Sequence, residues 1–174
     1  MKKLKPIEEW IFWKALIHAE RFILVFASAA AAAVVFAGVI MRYVIKTDLF
    51  GIEEIVTIIV MWLYFIGAAY GSFEDSHIKA DMLPALIKNK KALKTLNLAI
   101  YGISAALLTV IAFWGLQYAH WSILSGGKSV GWRFPLIISQ IPITIGFVLM
   151  WFYAICHLVR TALKKIDENE GSEV

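Results

Sequence analysis

The sequence predicts an all-α membrane protein: four transmembrane helices plus amphipathic interfacial helices, with both termini cytoplasmic. Three observations carry this. Of the 174 residues, 60% are hydrophobic and only 17% charged, against about 45–50% and about 25% in an average soluble domain. The apolar residues fall into four blocks, each able to supply the ~20 residues with which a helix crosses the hydrocarbon core. The cationic residues, finally, alternate in density from one side of these blocks to the other.

The first element, residues 1–21, contains PIEEWIFWKALIHAERF, which is too short and too charged to cross. Pro6 suits a first helical turn, and Ile7, Trp10, Ile11 and Ile17 share a face at helical spacing, with Glu8, Glu9 and Glu20 away from it. An amphipathic helix in the membrane interface is expected, anchored by Trp10 and Trp13. The alternative is a cytoplasmic extension of the first span.

The transmembrane domain is expected over residues 22–158, with spans at about 22–41, 55–73, 96–121 and 135–158. The first run is too long for a signal peptide, starts late, and is followed by Arg42-Tyr43 rather than small residues, so it is expected to be retained. It carries Ala29, Ala33 and Ala37 at four-residue intervals, and the second span has Gly67 and Gly71 in a GxxxG pattern. In lipid such stripes let helix backbones approach closely, within the bundle or against another protein. Glu53 and Glu54 open the second span, where a helix dipole favours carboxylates, and Arg42 is close enough in sequence to pair with either.

The connection HIKADMLPALIKNKKALK is again amphipathic, with Pro84 bending it and Lys88, Lys90, Lys91 and Lys94 set toward anionic headgroups. The loop SGGKSVGWRFP supplies turning glycines and places Trp132 near an interface, while Pro142 is positioned to kink the fourth span. Residues 159–174 form a cytoplasmic tail, acidic from Asp167 onward and expected to be disordered. Thirteen of the 17 cationic residues lie in the amino-terminal segment, the second connection and the tail. The positive-inside rule puts those three regions in the cytoplasm. The net charge of +4 reflects this bias and anionic membrane lipids, with no need for nucleic acid.

Chemistry-bearing motifs are sparse. Gly127-Lys128-Ser129 has Ser122 where a Walker A loop needs its first glycine, and no strand precedes it. Four histidines permit a haem reading, but His120 is expected at the opposite membrane face from His18, His77 and His157. Asp75, His77 and Asp81 permit a divalent-metal reading, against which stand Lys79 and the lack of a second histidine. Cys156 is alone and reads as a small apolar filler. No Asp, Glu, Lys or Arg falls in the middle of a predicted span. Intramembrane charges usually mark ion, proton or substrate pathways, so this chain is not expected to carry substrate unaided. No cofactor, metal or catalytic residue is expected.

The order and spacing of several short motifs resemble the small membrane (Q-type, DctQ-like) subunit of tripartite ATP-independent periplasmic (TRAP) transporters. They are Arg42-Tyr43, Glu53-Glu54, Gly67-Ala68 followed by His77-Ile78-Lys79-Ala80-Asp81, and Ile141-Pro142. The chain departs from the family's GA…HIxVD arrangement at Ala80, and has Glu74-Asp75 where basic residues often precede the histidine. The resemblance implies a non-enzymatic scaffold in the bacterial inner membrane, stabilising a large multi-span subunit that holds the sodium and substrate sites. A periplasmic binding protein would deliver an organic acid such as a C4-dicarboxylate or sialic acid. On that reading Arg42, Glu53, Glu54, Gly67, Gly71, His77 and Asp81 are structural or partner-interface residues, with His77 and Asp81 holding a cytoplasmic corner. The alternatives are a haem- or quinone-binding anchor of an oxidoreductase and an autonomous small exporter.

Overall fold

A computed structural model describes residues 11–47, 51–74 and 90–163. Four helices account for nearly all of them: α1 (Ile11–Ile40), α2 (Ile52–Phe73), α3 (Lys90–Ser125) and α4 (Ile137–Leu163). All four are long and apolar enough to cross a membrane. No strand occurs among the described residues. Each helix outlasts its apolar run, because the backbone keeps its internal hydrogen bonds into the headgroup region. α3 accordingly begins at Lys90 rather than near residue 96, and α4 continues to Leu163.

α1 ends in a single π turn, Met41–Ile45, closed by Lys46 in the left-handed conformation with its N–H on the Met41 carbonyl. α2 starts from Gly51, at φ 82°, and carries Glu53 and Glu54 in its first turn, as expected from the dipole. Two helical hairpins result, α1–α2 and α3–α4. Their turns lie together at one end of the bundle, the hairpin end, and the other ends of the helices form the terminal end.

In space the helices run in the order α1, α2, α4, α3, with α4 packed on both α2 and α3 and α2 packed on α1. Between α3 and α4 three polar rungs span the pair. The Trp151 indole donates to Thr109 Oγ1 at 2.8 Å, Thr144 Oγ1 donates to the Gly115 carbonyl at 2.8 Å, and Ser122 Oγ donates to Gln140 Oε1. Burial from water no longer drives helices together inside lipid, so such bonds and close packing carry the association.

Pro142 sits inside α4 and is fully buried. Proline has no N–H, so the carbonyl of Ile138, four residues earlier, loses its helical donor. The indole N–H of Trp62 on α2 donates to that carbonyl at 3.2 Å. One turn further, Gly146 admits α2 so closely that a β-carbon there would lie 2.8 Å from the Phe65 carbonyl oxygen. Proline and glycine together fix how α2 meets α4.

Two expectations change at the terminal end. α1 does not stop at residue 21; it is unbroken from Ile11 to Ile40, so residues 11–21 are its first turns. Trp13, expected as an interfacial anchor, is 7% exposed, and Glu20, expected away from the apolar face, is 2% exposed. With Ala27 they recur every seven residues, which places all three on the side of α1 that meets the bundle. The alanines at 29, 33 and 37 all face outward, leaving them free for lipid or a partner.

Candidate functional site

At the hairpin end, Glu54 ties α2 to the loop between α3 and α4. Ser129 Oγ donates to Glu54 Oε2 at 2.7 Å and the Trp132 N–H donates to the same oxygen at 2.9 Å, while the Gly131 N–H donates to Oε1. The loop is held in shape to do this. Ser129 Oγ also accepts the Phe134 N–H at 3.0 Å, and backbone bonds join Ser129 to Phe134 and Leu136 to Gly127. Both glycines at the contact are required by it. A β-carbon on Gly131 would lie 2.9 Å from Glu54 Oε1, and the Trp132 ring covers the α-carbon of Gly51, which also needs its positive φ.

A cavity of about 380 Å³ opens beside this contact, lined by Glu53, Thr57, Lys128 and Ser139 together with apolar loop side chains. Glu53 is exposed, and its carbonyl accepts the Thr57 hydroxyl at 2.7 Å. Arg42 lies in the π turn and is exposed. Among the described residues no ion pair joins it to Glu53 or Glu54, whose neighbours at this corner are loop donors. The pairing considered for Arg42 is therefore replaced, at Glu54, by hydrogen bonds from the α3–α4 loop.

At the terminal end a second polar corner lies inside the bundle. The Tyr153 hydroxyl donates to Glu20 Oε1 at 2.7 Å, and Tyr153 is fully buried. Trp13 packs on it edge-on at 5.5 Å, with Phe73 and Phe152 at 5.7 Å completing an aromatic cage. Glu20 Oε2 and Trp13 Nε1 are both buried without a hydrogen-bond partner. Beside Glu20, Arg21 turns the other way, and its Nη2 donates to the Tyr70 hydroxyl at 2.8 Å. α1 is thus fastened to α4 through Glu20 and to α2 through Arg21.

The remaining candidate residues serve packing or lie apart from both corners. Gly67 accommodates α1, with Leu24 Cδ2 at 3.5 Å from where its β-carbon would be. That part of the small-residue pattern therefore serves packing within the chain. Gly71 is half-buried on the same helix. His77 and Asp81 lie outside the described residues. His157 stacks on Tyr101, and the His18 ring N–H at Nδ1 donates to the Lys14 carbonyl. No group of three His, Cys, Asp or Glu side chains converges among the described residues.

Sequence reasoning missed Glu20, Tyr153, Trp62 and the loop donors at 129–132. Only the seven-residue recurrence of Trp13, Glu20 and Ala27 was there to be read. The others join residues 75 to 133 positions apart, for which a single sequence carries no local signal.

This arrangement fastens the helices to one another at both ends of the bundle. A sequence profile for the DctQ component of tripartite ATP-independent periplasmic transporters matches residues 31–164. The chain belongs to the DctQ family. The match takes in the last ten residues of α1, all of α2, α3 and α4, and both ends of the Glu54 contact, so the hairpin-end corner lies wholly inside the family region. Glu20 and Arg21 precede it. The DctQ family is a transporter component rather than an enzyme family, and its membership makes this chain the small subunit of a TRAP transporter. No individual curated protein matches the chain.

Proposed function

We propose that this DctQ subunit is the fixed scaffold of a sodium-coupled, binding-protein-dependent secondary transporter for organic acids of the C4-dicarboxylate or sialic-acid type. It stabilises and anchors a large multi-span membrane subunit, which holds the sodium and substrate sites, and a periplasmic binding protein delivers the substrate. Membership of a tripartite transporter family carries this reading. It is supported by α1 and α3, which flank the row of helices and leave long apolar sides uncovered by the described residues, including Phe36 on α1 and Phe113 on α3. The two polar corners support a rigid role, since each clamps helices that lipid alone would leave free to slide.

We assign the subunit to the bacterial inner membrane with both termini cytoplasmic, an orientation supported by the bias of positive charge toward the terminal end and the tail. His77 and Asp81 would hold the cytoplasmic corner after α2. Arg42, Glu53 and the outward alanines of α1 are assigned to the partner surface.

The test is a mild-detergent pull-down from native membranes, with mass identification of the proteins recovered alongside this chain. One very hydrophobic, many-span protein in equal amount supports the scaffold. Its reconstitution with the cognate binding protein must then give sodium-dependent uptake of an organic acid. Recovery of a redox subunit, or of this chain alone as a stable oligomer, refutes the reading.

A further inference from the structure

The side of α1 that turns away from buried Trp13, Glu20 and Ala27 carries a basic stripe, whose Arg21 borders α2 through its bond to Tyr70. Lys14, His18 and Arg21 are exposed there at intervals of four and three residues, which sets them in one stripe along the first turns of the helix. Immediately beyond, the stripe turns wholly apolar, with Phe22, Val25 and Phe26 exposed by 72%, 66% and 68% and the two phenylalanine rings stacked at 6.4 Å. From Phe22 to Met41 there is no charged residue, a run of 20 that rises about 30 Å and so matches the hydrocarbon core. Arg21 therefore sits at the boundary where headgroup phosphates lie, and the rings below it lie at the depth of acyl chains. Its guanidinium is not left to wander: Nη2 holds the Tyr70 hydroxyl at 2.8 Å and the group lies 5.9 Å from the Tyr70 ring centre. The Glu74 carboxylate also lies within electrostatic reach of the group, and the planar fork, with more donors than Tyr70 takes up, is suited to an anion.

We propose that this face of α1 binds an anionic phospholipid, its phosphate held by Arg21 and Lys14 and an acyl chain lying along Phe22, Val25 and Phe26. The cationic stripe selects the headgroup, because lipid-facing apolar residues alone would accept any phospholipid. A neutral phosphatidylcholine carries its own cation outside the phosphate and gains less from two basic side chains. The proposal is independent of the transporter reading, and of the partner surface it assigns to the outer part of α1.

The full-length chain, purified in mild detergent, would be given equal amounts of phosphatidylglycerol and phosphatidylcholine and the retained lipid counted by native mass spectrometry. Each basic residue near an anionic surface is worth a factor of about five in binding, so the pair gives a preference of roughly five- to thirty-fold for phosphatidylglycerol. K14Q and R21Q together should abolish it, R21K should keep most of it, and K46Q with K128Q, at the hairpin end, should leave it unchanged. K14Q alone should lower it part-way; it keeps Arg21 on Tyr70, so it answers for any loss of folding in R21Q. Equal retention of the two lipids by the unaltered chain overturns the proposal, as does an undiminished preference in the double variant. Co-purification of the large subunit is scored on the same preparations. If R21Q loses that subunit while lipid preference persists, the stripe serves an acidic protein surface and the lipid site is refuted. If no large subunit is ever recovered but the lipid preference tracks Arg21, the scaffold reading fails and this one stands.

Discussion

Replacing Gly146 with alanine probes the closest backbone approach between α2 and α4. The new β-carbon would stand 2.8 Å from both the β-carbon and the carbonyl oxygen of Phe65, and 3.1 Å from its carbonyl carbon, where ordinary contact begins at 3.4 Å. Two of those three atoms belong to the main chain, so no rotamer change relieves the clash. The helices must part by about 0.6 Å at that level, in a close-packed interior that resists it. The same movement pulls on the Trp62–Ile138 bond, already 3.2 Å long, and on the edge-to-face contact of Phe65 with Phe147 at 5.5 Å. Overpacking of this kind costs about 1–3 kcal/mol, and a lost interhelical hydrogen bond adds about 1 kcal/mol. For a chain of this size that is a fall of roughly 5–15 °C in melting midpoint. The assay is thermal unfolding of the full chain in mild detergent, monitored by loss of the monodisperse chromatographic peak. Gly102 is the control, because a β-carbon there meets nothing within 4 Å. G102A should be neutral, or stabilising by up to about 1 kcal/mol from helix propensity. An unchanged melt for G146A, or an equal loss in G102A, would refute the claim that this glycine sets the α2–α4 distance.

Other contacts set further outcomes. W62F leaves the Ile138 carbonyl without its donor and should cost about 1 kcal/mol; in a P142A background, where a helical N–H is restored, the same change should cost measurably less. Y153F strands a buried carboxyl oxygen of Glu20 and should destabilise by about 1–3 kcal/mol, whereas E20Q keeps an oxygen for the tyrosine and should melt closer to the unaltered chain. E54Q turns an amide donor toward loop donors, and G131A crowds Glu54 Oε1. Both should quicken tryptic cleavage at Lys128 and Arg133, which are exposed in the loop, and equal cleavage rates in all three proteins would argue against the tether.

The hydrophobic runs made the four helices legible, because a membrane leaves backbone groups no alternative but internal hydrogen bonds. The start of α2 was legible too, since two adjacent carboxylates suit the positive end of a helix and Glu53 and Glu54 occupy its first turn. The amino-terminal segment departs from its expected place for a physical reason. Charge ordinarily signals solvent, yet Glu20 is carried inward by a helix whose other side bears the lysine and arginine, and Tyr153 satisfies one of its oxygens. Pro142 announced a break in helical bonding without revealing that Trp62 supplies the missing donor. The Glu54 contact depends on the conformation of an irregular loop, where no periodicity says which N–H will point at a carboxylate.

The spatial order α1, α2, α4, α3 has a consequence for biosynthesis. Within each hairpin a short link joins helices that touch, and 11 residues separate α3 from α4. α2 and α3 are separated by 16 residues, and between them in space lies α4, packed on both. Since synthesis proceeds from the amino terminus, α3 leaves the ribosome before the helix that will separate it from α2. The seat on α2 that Gly146 and Pro142 later fill stands open to lipid while α3 inserts. Only the last helix completes the row, so a chain truncated within α4 would leave two helices in the bilayer with no neighbour in common.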